Sequence, residues 1–161
     1  DGVAERIERL KRLSEKLGRE HPPLEFGLRV TTLVRDTTEQ AWADAEAKVA
    51  RMAQLAKSQD GAARDPNWRA AVGQRRLLEL SARGDVLDDN LYTAPGRFGG
   101  GGAATTWLVG SAADVANSLR KYQRLGITHF VLSDTPYLPE IKRQGEQLLP
   151  LLRDPATVTQ R

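Results

Sequence analysis

Arg29 stands in a run that changes character at every step. Phe26, Leu28 and Val30 are apolar, and Gly27, Arg29 and Thr31 alternate with them. Alternation with period two predicts a strand from Leu24 to Arg35 with one apolar face. On a half-exposed sheet the other face meets solvent. In a closed parallel barrel it points inward, where a guanidinium requires a partner or a ligand. The alternation itself is compatible with both. A second position with chemical potential is Gly110-Ser111, just before a helical stripe, where free backbone N–H groups can bind an anion. Ser111 with Asp114 is equally a capping box. Further upstream, Arg97 precedes a run of glycines, Gly99 to Gly102. That run lacks both the P-loop lysine and the dinucleotide-binding spacing, so it is a poor phosphate cradle. His21 and His129 have no cysteine or acidic cluster around them in sequence, and neither is assigned to a metal.

The elements that must carry these residues follow from periodicity. Val3, Ile7, Leu10, Leu13 and Leu17 repeat at helical spacing, predicting an amphipathic helix over 2–17 that stops at Gly18. After the strand, Thr37 and Gln40 mark a helix start, and Trp42, Ala45, Val49 and Met52 form its apolar stripe. Residues 57–105 are irregular, apart from a helix from Trp68 to Arg83, and Asp88 to Ala104 has the composition of a loop. Order returns with a buried strand at Thr106 to Gly110, then a helix striped by Val115, Leu119, Tyr122 and Leu125. Gly126 closes that helix, and a second buried strand runs from Ile127 to Ser133. Pro139 fits the first turn of a last helix carrying Ile141, Leu148, Leu149 and Leu152. Strand, helix, strand demands a right-handed parallel crossover.

Composition narrows the function. Of 161 residues, 40% are hydrophobic and 28% charged, enough for a packed core. No apolar run approaches the ~18 residues that cross a bilayer. The 24 basic and 21 acidic residues are interspersed on helix faces, which argues against a nucleic-acid interface. The absence of cysteine removes disulfides, thiolate metal sites and a cysteine nucleophile, and fits a cytoplasmic setting.

Three stretches together resemble one family. Phe26-Gly27-Leu28-Arg29-Val30-Thr31-Thr32-Leu33-Val34-Arg35-Asp36-Thr37 with Glu39-Gln40-Ala41-Trp42 resembles the sixth strand and following helix of alkanesulfonate monooxygenases. Asn90-Leu91-Tyr92, through the glycines to Trp107-Leu108-Val109-Gly110-Ser111, is similar to a later part of the same enzymes. Leu119 to Ser133, with its Tyr122, Leu125, Gly126 and Ile127, is shared across the bacterial-luciferase-like superfamily. The resemblance implies an α/β fold, the C-terminal part of a (β/α)8 TIM barrel: strands six to eight, their helices and a glycine-rich insertion loop. It implies reduced FMN from a separate flavin reductase, O2, and C–S cleavage of a sulfonate to an aldehyde and sulfite. By the same resemblance Arg29 meets the substrate's sulfonate, and Arg97 belongs to a mobile loop that closes over flavin and substrate. Thr31 stands where the family has a histidine and Thr135 where it has a tyrosine, with Tyr137 two positions on. Arg29, Thr31, Arg97 and Thr135 are the candidate substrate-binding residues, and Gly110 and Ser111 the candidate cofactor contacts.

A complete barrel takes about 250 residues. The expectation is therefore a single-domain barrel fragment over 1–161, beginning at Asp1 rather than Met, whose earlier strands and flavin pocket lie elsewhere. Thr31 and Thr135 keep a second activity open, a deazaflavin (F420)-dependent oxidoreductase of the same superfamily. A third possibility is a non-catalytic half-barrel that self-associates through exposed sheet edges. A small-molecule substrate and a homo-oligomer are expected partners.

Overall fold

The computed structural model describes residues 2–58, 72–98 and 106–153. Helix α1 covers Gly2–Lys16 and stops as expected, with Gly18 at φ +59°, a left-handed turn that glycine adopts freely. Strand β1 is Phe26–Arg35 and helix α2 is Thr38–Ser58. The Thr37 hydroxyl accepts the N–H of Gln40 at 3.2 Å, so the predicted helix start is present. Helix α3 covers Val72–Arg83.

The stretch expected as loop is more ordered than its composition implies. It holds two two-residue strands, β2 (Val86–Leu87) and β3 (Leu91–Tyr92), followed by a 3₁₀ turn at Ala94–Phe98. Side chains supply the order. Thr93 Oγ1 donates to Gly84 O at 2.6 Å, Ser81 Oγ donates to Thr93 O, and Asn90 Nδ2 donates to Val109 O. Strand β4 (Trp107–Ser111), helix α4 (Ala112–Arg124) and strand β5 (Ile127–Ser133) lie where periodicity places them. Helix α5 is Tyr137–Arg143, with Pro139 in its first turn; a π-helical segment, Gln144–Leu148, joins it to α6, Leu149–Arg153.

The five strands form one mixed sheet in the order β2-β3-β4-β1-β5. Strand β1 pairs in parallel with both β4 and β5, and the short β3 pairs antiparallel on the outer edge of β4. The sheet corrects the expected barrel geometry in this chain. Consecutive barrel strands are neighbours, so the order would be β1-β4-β5, yet β1 lies between the other two. Barrel helices also share one face, and here they do not. Leu33, Trp107 and Val109 pack with Ala41 and Ala45 of α2. Val30, Val34 and Leu108 pack with Val115, Ala116 and Leu119 of α4, and with Leu148. Since alternate residues of a strand point to opposite faces, α2 and α4 cover opposite sides of the sheet. The physical reason is burial. The second half of β1 and nearly all of β4 are buried on both faces, and an open sheet achieves that only by taking helices on both sides. The result is an α/β/α sandwich.

Candidate functional site

All three parallel strands end on the same edge. The helix after β1 leaves on one face, and the helical run after β5 packs on the other with α4. Such a divergence between adjacent parallel strands marks, at their carboxyl ends, the usual ligand position in open α/β sheets.

Strand lengths shape this edge. Ser133, the last residue of β5, pairs with Thr31, so β1 runs on to Arg35 without a β5 partner. Side chains from the last helical run fill the notch. Gln144 Nε2 donates to Thr32 Oγ1 at 2.9 Å, and Arg143 Nη1 reaches Val34 O at 3.4 Å. Arg35, at the end of β1, donates to Glu140 at 3.0 Å and forms a closer pair with Asp44 of α2. Burial alone would lower the Arg35 pKa, but the two carboxylates outweigh it and raise it, so the guanidinium stays charged.

Asp134 follows β5 directly and is 6% exposed. Its Oδ1 accepts the Thr135 N–H at 2.7 Å and Lys48 Nζ at 3.4 Å, while Oδ2 is buried with no partner among the described residues. Burial pushes the carboxyl above its ordinary value, Glu140 adds to the rise, and the Thr135 N–H and Lys48 oppose it. Thr31 Oγ1 is likewise buried without a partner. Arg35, Lys48, Asp134, Glu140, Arg143 and Gln144 were not singled out from sequence. The available signal was position, since Arg35 and Asp134 stand at the carboxyl ends of predicted strands.

The sequence candidates divide into groups. Arg29 and Thr31 share the α2 face of β1 with Leu33, and Thr135 lies just past the neighbouring strand. Arg29 is exposed, opposite the exposed Val131 of β5, and makes no ion pair or hydrogen bond among the described residues. Among the described residues, α2 packs against the second half of that face, from Thr31 onward. Arg97 is elsewhere. It sits in the 3₁₀ turn, paired with Asp85 and 3.4 Å from Ser81 O, while Ala94 of the same turn packs with Leu33 and α2. The glycines expected to carry a mobile lid, 99–102, lie outside the described residues.

Gly110 and Ser111 lie at the end of β4 beside Val34 and Arg35. The capping box is complete: Ser111 Oγ accepts the Asp114 N–H, and Asp114 Oδ2 accepts the Ser111 N–H at 3.0 Å. A Cβ on Gly110 would come within 2.8 Å of the Asp114 Cβ, so glycine is needed for this closeness. Burial raises the Asp114 pKa, but hydrogen bonds from Thr38, at 2.5 Å, and Ser111 outweigh it and hold the carboxyl below its usual value. The N–H groups of Ser111 and Asp114 therefore already have acceptors within the chain. Among the described residues no His/Cys/Asp/Glu group is arranged to hold a metal, and no helix is long and apolar enough to cross a membrane.

Residues 1–129 match the luciferase-like monooxygenase family model. The chain belongs to that family. Membership places this luciferase-like chain among the oxidoreductases, with monooxygenase chemistry. The matched span contains β1 with Arg29 and Thr31, all of β4 and α4, and ends within β5.

Proposed function

We propose that this luciferase-like protein provides the substrate-binding wall of a two-component monooxygenase that uses FMNH2, delivered by a flavin reductase, and O2. The substrate is an alkanesulfonate or a similar small organic anion. The observation that carries this is the exposed Arg29 on β1, which has no ion pair among the described residues. A guanidinium stays charged and offers a planar fork of donors matched to an oxyanion. Thr31, two residues along the same face, contributes only a hydroxyl where a histidine would titrate. Asp134, 6% exposed, is a buried acidic group at the strand ends. Gly110 and Ser111, at the start of α4, are the candidate flavin contacts, with the Ser111 side chain engaged in the helix cap.

Arg29→Ala is expected to weaken binding of an anionic substrate by more than tenfold, on the order of 1.4 kcal/mol or more. Unchanged binding would make the arginine structural. Parallel titrations with reduced FMN and with reduced deazaflavin test the cofactor. Tight binding of deazaflavin alone would replace the monooxygenase by a hydride-transferring oxidoreductase, which the threonines at 31 and 135 favour. Binding of neither, with a discrete oligomer in solution, would favour a self-associating, non-catalytic role.

A further inference from the structure

The charges at the strand ends do not cancel completely, and the remainder describes a ligand. Glu140 is fully engaged, with Oε2 accepting from Arg35 at 3.0 Å and both oxygens accepting from Arg143 at 3.2 Å. Asp44 pairs with Arg35 and with Lys48, the latter at 3.7 Å. Arg35, Lys48 and Arg143 are thus all in use. Two charged groups retain unused capacity. Arg29 has no ion pair among the described residues, and Asp134 has one oxygen, Oδ2, with no donor. The unpartnered Thr31 hydroxyl lies between them, since Arg29 is two residues before Thr31 and Asp134 directly follows Ser133, the Thr31 partner on β5.

We propose that the site takes a small organic anion that also carries a hydrogen-bond donor, above all an ammonium group. The anionic end lies on Arg29 and the donor meets Asp134 Oδ2. This rests on Arg29 being the substrate anchor proposed above. A plain alkyl tail would leave a buried carboxylate oxygen unsatisfied, a costly state that a donor relieves. Asp134 stands three residues beyond Val131, the Arg29 partner, about 10 Å along the strands. With a hydrogen bond of about 3 Å at each end, the ligand is short, with roughly a three-carbon spacer. Lys48, one-quarter exposed, binds Asp134 Oδ1 at 3.4 Å, Thr135 O at 3.1 Å and Asp44 at 3.7 Å, so the carboxylate is held through Oδ1, and Oδ2 is the oxygen left for a ligand donor.

The test is calorimetric titration of the protein with 3-aminopropane-1-sulfonate and with butane-1-sulfonate, which have similar length and the same anionic end. The aminated ligand is expected to bind at least tenfold more tightly. Asp134→Asn keeps the shape but replaces Oδ2 by an N–H donor, and should bring the two affinities to within threefold of each other. Equal affinities in the unaltered protein would overturn the proposal without recourse to any variant, as would a preference that survives Asp134→Asn; Oδ2 would then serve a buried water. Arg29→Ala separates the two levels. If it weakens both ligands and no preference exists, only the donor class falls. If it weakens neither, the anchor and this inference fall together.

Discussion

At the scale of single residues, function and structure compete for the same groups. Ser111 has the position of an anion-binding residue, yet its N–H and hydroxyl serve Asp114. Arg97 has the position of a lid residue, yet it pairs with Asp85. Arg29 is the candidate left over, because its strand neighbours Gly27 and Val131 offer no carboxylate. The Asp114 cap makes a testable case. Asp114→Ala should cost about 1 kcal/mol at pH 7, as loss of a capping side chain does. Since the folded state holds this carboxyl below its usual value, its stabilisation is complete above the unfolded pKa of about 3.9 and is lost as pH falls through the folded value. Urea denaturation at pH 7 and at pH 3 should therefore show the gap between the two proteins narrowing on acidification. A gap that widened would give Asp114 the opposite sign.

At the scale of elements, the mismatch in length between β1 and β5 organises this edge of the sheet. Four residues of β1, from Thr32 to Arg35, have no β5 partner, and the last helical run supplies Gln144, Arg143 and Glu140 in place of a strand. Glu140 is 4% exposed and neutralises two arginines. Removing one partner of a buried pair strands the other charge, so Glu140→Ala is expected to destabilise by about 3 kcal/mol. Chemical denaturation reads this directly, and a loss below 1 kcal/mol would mean that the helix does not plug the notch. Helix α1 shows the opposite balance. Ile7 is buried at 4%, but Leu13 and Leu17 are 47% and 72% exposed, so only its first half is docked. Amide hydrogen exchange should be fast in residues 10–16 and slow in α4, whose apolar face is buried.

At the scale of the whole molecule, the decisive fact is that α2 and α4 lie on opposite faces of the sheet. Leu33 and Leu108 report the two faces and are 0% and 1% exposed. Leu33→Ala and Leu108→Ala are each expected to cost about 3 kcal/mol. If the α2 face were open, Leu33→Ala would cost far less, and equilibrium unfolding distinguishes the two.

The sequence by itself determined the elements and the family. Periodicity located α1, β1, α4 and β5 closely, because helix and strand repeats depend on near neighbours. The arginine-bearing strand and the Leu125-Gly126-Ile127 turn pointed to the luciferase-like family, which the match over residues 1–129 established. The β2–β3 pair escaped notice because two-residue strands have no periodicity to read, and side-chain bonds from Ser81, Asn90 and Thr93 hold that region. Strand order escaped for a different reason. An apolar run such as Leu33-Val34 or Leu108-Val109 says that both faces are covered but not which helix covers which. Only the tertiary structure decided that, by placing β1 between β4 and β5. The same placement brought Arg35, Lys48, Asp134 and Glu140 together from positions up to 105 residues apart, and left Arg29 unpaired on the face beside them.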